Sequence, residues 1–445
     1  MSLFLNSQKL KSNYLSILLA MFPLSFIAGN MIININIILI IISAIILVGK
    51  DLFKIKYYVL DKLIISYFLL ILSTGLINDI FTLNKLFWGT NFATTLKSIL
   101  FFKYLLLYLI VRSLLEKEIL NLKLFFISCS FASIFVCFDI FYQYIYGTDI
   151  FGYKPILGFR KLSGPFGDEL IAGSFIQRFS IFSFFILPLY YAKNSQPYVK
   201  YIIPILFLIF FTGIILTGNR MPLLLFLFCI TLIIIFQKQT RKYFFPLIII
   251  FSLTFFSIYN LDIKVKSNFD NFYNQVSKMI IILIDKNVVI DKNLDSKKTP
   301  QYLKEFSTFY DTWLINKYIG GGIKSFRYYC HHRKNMDPNS KYKCNMHPHN
   351  YYLEILTETG LLGFIIVVSF LIMILYLSLY RKYFTKNVLQ GNHYIIPFIF
   401  LFIVEIFPIK SSGSFFTTGN ATYIFILMAI LIGLIRKDNS IENRI

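Results

Sequence analysis

The chain has 445 residues, of which 57% are hydrophobic and 18% aromatic, and its mean hydropathy is +0.66. That composition excludes an ordinary water-soluble globule. Its formal charge of +22 would suggest nucleic acid in a soluble protein, but here most of the cations sit in short segments between apolar runs. The tendency of cytoplasmic loops to keep Lys and Arg explains them without a nucleic-acid partner.

In chain order, Lys9 and Lys11 precede an apolar run from Tyr14 to Gly29. The run lacks a convincing small-residue cleavage site, so it reads as a retained span and not as a signal peptide. A second run covers Ile32 to Val48, and the following loop carries Lys50, Lys54, Lys56 and Lys62. That loop is expected in the cytoplasm, together with the N-terminus. Span three ends near Ile77, and the stretch with Trp88 faces outward. Span four starts near Leu96 and returns to the basic segment Arg112–Lys123, and span five ends near Tyr146.

The next outward loop, 147–170, is glycine-rich with clustered charge and includes Arg160 and Lys161. Spans six to nine follow, broken sharply at Thr217-Gly218-Asn219-Arg220-Met221-Pro222, and they end near Asn260. From Leu261 to about Met346 the chain is polar and lysine-rich, with no apolar run of membrane length. Span ten begins near His349, span eleven ends near Pro408 before Lys410, and span twelve descends to Arg436-Lys437.

The expectation is therefore an all-α polytopic membrane protein of about twelve transmembrane helices. Spans one to nine occupy 1–260 and spans ten to twelve occupy 348–445. Between them lies one large periplasmic loop region, 261–347. Both termini are cytoplasmic in this scheme.

Alternation alone puts Arg160, Arg220, Lys410 and His349 on the outer face, against the charge bias. His347-Pro348-His349-Asn350-Tyr351 then stands where a polar segment meets a membrane-length helix. Pro348 suits the first turn of that helix. Chemistry on a lipid-borne substrate needs such a junction, because the lipid stays in the bilayer while the reacting group is wet.

Lys103, Asp139, Arg178, Glu354, Glu358 and Glu405 fall inside spans. Each costs about 2.5–3.5 kcal/mol on insertion scales, so internal pairing is expected, for instance Asp139 or Glu405 with Arg178. Glu354 and Glu358 lie one turn apart and share a face running inward from His349, placed to orient it or to line a cavity. Gly360 and Gly363 are read as permitting close helix packing.

Cys129, Cys137 and Cys229 sit in spans as apolar filler. Cys330 and Cys344 flank a short hydrophilic stretch of the outer loop, where an oxidising periplasm favours a disulfide. The nearby His331, His332, His347 and His349 invite a zinc reading, but their spacing matches no standard finger. No metal and no cofactor are expected.

His349-Asn350 followed after nine residues by Gly360, and after two more by Gly363, resembles the signature helix start of the O-antigen ligase and polymerase superfamily. Arg220 with Leu224, preceded by Gly218-Asn219, resembles its second, shorter motif, with Asn219 in place of the usual Ser. The segment Arg160–Gly167 and the Gly320-Gly321-Gly322 turn look familial too.

The resemblance implies an inverting, metal-independent enzyme of the bacterial inner membrane, with its active site facing the periplasm. It would move a glycan from undecaprenyl diphosphate to lipid A-core or to another lipid-linked acceptor. It makes His349 the general base and Arg220 and Arg160 the diphosphate binders, with Arg178 competing for the second place. His347, Asn350, Glu354, Glu358, Arg178 and Lys410 would line or orient the site. A neutral imidazole can take a proton from an attacking hydroxyl, and paired guanidinium groups can grip a diphosphate. A polymerase joining lipid-linked repeats is the nearest alternative. A transporter or flippase would show internal repeats and broken helices at mid-membrane, and no repeat is visible.

Reporter fusions after Lys50, Lys200 and Arg381 are expected to read cytoplasmic, and fusions after Trp88, Gly158 and Asn293 periplasmic. Gly158 and Asn293 on opposite sides would break the convergence of the candidate residues on one face.

Overall fold

The computed structural model describes residues 2–81, 92–155, 161–190, 199–284, 301–333, 344, 349–384, 394–410 and 413–442. Among these the chain is helical, with no strand. Apolar segments in lipid must satisfy their own backbone groups, and a helix does so locally.

Among the described residues, eight helices are long and apolar enough to cross a membrane. They begin with α1 (Ser2–Ala20), continued by α2 (Phe22–Ala28), then α3 (Asn30–Val48), α4 (Val59–Phe81), α5 (Ala93–Glu116) and α6 (Lys123–Tyr146). After α6 the apolar helices are shorter: α7 (Ala172–Phe179) continued by α8 (Ser183–Tyr190), α9 (Val199–Leu216) and α10 (Arg220–Phe236). Next comes α11 (Phe244–Leu261), which is of spanning length.

The amphipathic α12 (Ile263–Ile284), α13 (Gln301–Trp313) and the single turn α14 (Phe326–Tyr329) occupy the polar region. Then come α15 (Tyr351–Leu375), the shorter α16 (Ile395–Glu405) and α17 (Thr418–Glu442). The four short apolar helices stand at the positions of expected spans six, seven, eight and eleven. Among the described residues eight of the apolar helices reach spanning length.

Burial separates centre from rim. The apolar window of α17 is 83% buried, whereas that of α11 is 6% buried, so α17 is the axis of the bundle and α11 its lipid-facing edge. Around α17 the packing is aromatic: Phe68 stacks on Phe101 at 5.5 Å, and Phe425 meets Phe68, Phe101 and Tyr104. Ring pairs in these geometries add about 0.5–1.5 kcal/mol each beyond their area.

At one end of α4, α5 and α17, the buried carboxylate of Asp61 collects Arg112, Arg436 at 3.0 Å and the Tyr108 hydroxyl at 2.9 Å. Arg112 also holds Glu116. Burying such charges is tolerable only because each has a counter-charge.

At the other end, α15 is not one continuous helix. Gly360 takes φ +67°, ψ −171°, which interrupts it. A break there frees the carbonyls of Thr357 and Glu358 and the amides of Leu361 and Leu362. The segment 317–322 takes up all four. Gly321 N–H donates to the Thr357 carbonyl at 3.2 Å and Gly322 N–H to the Glu358 carbonyl at 2.8 Å, while the carbonyls of Lys317 and Tyr318 accept from Leu361 and Leu362 at 2.9 and 3.1 Å. The Asn78 amide donates to the Gly320 carbonyl at 3.0 Å.

The fit requires glycine on both sides. A Cβ on Gly320 would lie 2.4 Å from the Glu358 carbonyl carbon, and one on Gly360 would lie 2.3 Å from the Tyr318 carbonyl carbon. Gly360 therefore does more than allow helices to approach: it opens a helix so that part of the polar region can be spliced into it. Gly363 keeps the packing role expected of it, with Leu70 of α4 at 3.4 Å from its would-be Cβ.

Candidate active site

Helix α15 starts at Tyr351, with Asn350 as its N-cap: the Asn350 side-chain oxygen accepts from the amides of Tyr352 (3.0 Å) and Leu353 (3.2 Å). Asn is among the best residues for this position, because a short side-chain oxygen reaches the free amides of the first turn. The helix thus begins two residues later than the sequence suggests. Pro348, like His347, lies outside the described residues.

The Asn350 amide donates to the carbonyls of Pro408 (2.8 Å) and Lys410 (3.4 Å), pinning the cap to the turn after α16. His349, directly before the cap, has φ +54°. That left-handed conformation is uncommon outside glycine, somewhat less so for His. Such backbone persists where neighbours enforce it, and it clusters at functional sites.

Beneath the cap lies a buried ionic group. Both Glu405 carboxylate oxygens accept from Arg178, at 2.8 Å from Nη2 and 3.3 Å from Nε, and Lys410 closes on the same carboxylate. Arg178 also donates to Asn420 Oδ1 at 2.7 Å and to the Tyr351 hydroxyl at 3.2 Å, and its guanidinium lies over the Tyr423 ring at 4.7 Å. The Lys410 ammonium sits 4.8 Å from the Tyr351 ring centre. Burial pushes Lys410 down to about 8, against the pull of Glu405, and Arg178 adds to the push. Two cations share one carboxylate, so the group carries net positive charge while Lys410 is protonated. The expected Arg178–Glu405 pairing is present, whereas Asp139 instead accepts from the Ile150 amide at 2.7 Å.

The two glutamates of α15 meet different partners. Glu354 accepts from the Ser414 hydroxyl and the Phe415 amide, so it ties the turn before α17 to α15. Glu358 is buried immediately before the break at Gly360 and faces the Lys324 backbone, with Oε2 lacking a hydrogen-bond partner among the described residues.

Arg220 opens α10 beside Asn219, and its guanidinium stands 5.7 Å from the Phe272 ring of α12. Asn219 Nδ2 donates to the Leu170 carbonyl at 3.2 Å, and a Cβ on Gly173 would meet Asn219 Cβ at 2.9 Å. Helix α7 therefore touches the Arg220 motif at its start and carries Arg178, which bonds Tyr351 in the first turn of α15, near its end. Arg160 lies outside the described residues. Cys330 and Cys344 are bonded, with Cα atoms 5.9 Å apart, and Arg333 donates to Cys330 Sγ at 2.9 Å. Cys129, Cys137 and Cys229 are buried and free. Among the described residues no three His, Cys, Asp or Glu side chains gather as metal ligands.

Residues 205–368 match the family model described as O-Antigen ligase. That match supports placement in the O-antigen ligase superfamily. The matched stretch is less than half of the chain, and it takes in Arg220, the polar region, His349 and the break at Gly360. No curated protein matches the chain. The family points to a multi-pass membrane glycosyltransferase of the ligase or polymerase type, which handles a lipid-linked glycan and a lipid acceptor. Arg178, Glu405 and Lys410, which organise the cap from outside the match, are visible in sequence only as charges inside or beside apolar runs.

Replacing Glu405 by Gln leaves two buried cations without a counter-charge, which should cost roughly 3–5 kcal/mol. Thermal unfolding in detergent is expected to show a clearly lower midpoint for E405Q and a partial recovery in E405Q/K410M. An unchanged midpoint in E405Q would mean that Glu405 does not hold this end of the bundle together.

Proposed function

We propose that the protein is a glycosyltransferase that transfers a glycan from undecaprenyl diphosphate to lipid A-core at the periplasmic face of the bacterial inner membrane. The observation that carries this reading is the family match, which contains both the Arg220 motif and the His349-Asn350 helix start. The about twelve spans, with both termini in the cytoplasm, belong to the same proposal, as does the division at 260 and 347.

His349 is the general base. It takes the proton of the acceptor hydroxyl as the oxygen attacks the anomeric carbon, and the bond from that carbon to the diphosphate breaks. A positioned base of this kind is worth about 100- to 10,000-fold in rate. Asn350 fixes the base by fixing the helix start.

Arg220 and Arg160 bind the leaving diphosphate. Their planar forks match phosphate oxygens two at a time, and they supply without a metal the charge that stabilises the leaving group. Arg178 and Lys410 add a fixed positive field at the cap, because Glu405 neutralises only one of the two. A dianionic leaving group would be favoured there over a neutral one.

A polymerase would use the same base and the same diphosphate grip. The two differ only in whether the acceptor hydroxyl belongs to lipid A-core or to another lipid-linked repeat. Cells lacking a ligase accumulate finished lipid-linked polymer, whereas cells lacking a polymerase accumulate single repeats.

Transfer of purified lipid-linked glycan in detergent, with EDTA present, tests the assignment. His349→Ala is expected to lose about 100-fold or more in rate while still binding donor. Arg220→Lys should lose donor affinity as well as rate, since an ammonium cannot reproduce a two-pronged grip. His347→Ala should be milder than His349→Ala. Full activity in His349→Ala would remove the base, and wild-type activity lost to EDTA and restored by zinc would replace the metal-free scheme.

A further inference from the structure

Helix α13 carries its side chains the wrong way round for a helix in water. A water-facing helix turns its apolar stripe to the core and its polar one outward. The packed face of α13 holds Glu305, Thr308 and Thr312, at most 7% exposed, beside Phe309, whose ring lies 4.2 Å from that of Phe326. The outward face holds Phe306 and Tyr310, 48% and 56% exposed, then the half-buried Trp313 and the exposed Leu314. Spacings of four and three residues put Phe306, Tyr310 and Trp313 on one stripe, and the rings of Tyr310 and Trp313 stand 5.8 Å apart.

The stripe continues past the end of α13. Turns carry the chain on through the exposed Lys317 and Tyr318 into the splice at Gly360. There the carbonyls of Lys317 and Tyr318 accept from Leu361 and Leu362. The stripe therefore adjoins the exposed apolar flank of α15 at Leu361, Leu362 and Ile365. That flank belongs to a helix of membrane-spanning length, so lipid is its natural surrounding.

We infer that α13 lies in the bilayer interface, with the stripe from Phe306 to Tyr318 seated among lipid headgroups and the upper acyl chains. The inference goes beyond the proposed reaction and does not depend on it. Trp and Tyr are enriched at that depth, where one end of the ring is apolar and the other wet. Lys317 suits the same level, because its stem can lie along lipid while its ammonium reaches headgroup phosphates. The Trp313 indole N–H already donates to the Lys317 carbonyl at 2.9 Å, so the ring can leave water without stranding a donor. With 13 residues, α13 is about 20 Å long. That is too short for a hydrocarbon core of about 30 Å, so the helix lies along the surface and does not cross it. A protein partner would have to cover the aromatic stripe and the flank of α15 together, whereas one lipid surface meets both. Lipid then holds the polar region to the membrane in addition to the splice.

The test uses the full-length protein in phosphatidylcholine vesicles and reads the fluorescence of Trp313. The chain has two tryptophans, so Trp88→Phe leaves Trp313 as the single reporter. The difference between wild type and Trp313→Phe gives the same signal should that variant fold poorly. Bromine on the acyl chains near the headgroup is expected to remove more of the Trp313 emission than bromine near the terminal methyl, as burial about 5–10 Å deep requires. Aqueous iodide should remove little. The double variant Phe306→Ser, Tyr310→Ser changes two exposed side chains and leaves the packed face intact. In it, the loss to bromine should fall and the loss to iodide rise. Quenching by iodide and not by bromine would put this face in water and overturn the inference. Quenching by neither would overturn it in favour of a protein cover, a second copy of this chain or another protein. Stronger quenching by the deep bromine than by the shallow one would overturn it by placing α13 inside the hydrocarbon core.

Discussion

The arrangement of the candidate site depends on how one buried carboxylate is neutralised. Glu405 ends α16 and is almost wholly enclosed, and an unpaired charge there would be prohibitively costly. Its two partners come from distant parts of the chain, Arg178 from α7 and Lys410 from the turn that receives the Asn350 amide. Tyr351 adds its hydroxyl at 2.8 Å. Satisfying this one group therefore sets α7, α15, α16 and the start of α17 in register. The residue that precedes α15, His349, is placed as a consequence.

A second constraint comes from backbone groups, not charges. A helix broken by Gly360 exposes two carbonyls and two amides, and the segment 317–322 binds all four. The polar region between α11 and α15 is thereby fastened to the membrane bundle at its far end. It is fastened to the cap end by Cys344, bonded to Cys330 five residues before His349. Together these ties make the polar region part of the site's frame.

Much of this was legible in the sequence. Long apolar runs announce helices wherever lipid leaves no other partner for the backbone, whereas the cap at Asn350 is overlooked when the helix is started near His349, although Asn is a favoured capping residue. Charges at Arg178 and Glu405 inside apolar runs also announce that they must pair, as they do. Other features depend on contacts between residues far apart in sequence. Nothing local to Gly360 distinguishes a packing glycine from one that opens a helix for Gly320, and nothing local to Glu354 says that it will bind the turn at Ser414. The left-handed backbone of His349 has only a weak signal in its residue type, since His adopts it more often than most but still uncommonly.

The central claim is a single displacement with His349 as the only base and no covalent intermediate on the protein. Such a displacement inverts the anomeric carbon. The most direct measurement is the anomeric configuration, by proton NMR coupling constants, of the first sugar before and after transfer, using a donor of known linkage and purified protein. The account predicts that an α-linked diphosphate yields a β-linked product. An α-linked product would contradict it, because retention needs a second displacement and hence a nucleophile that this scheme does not contain.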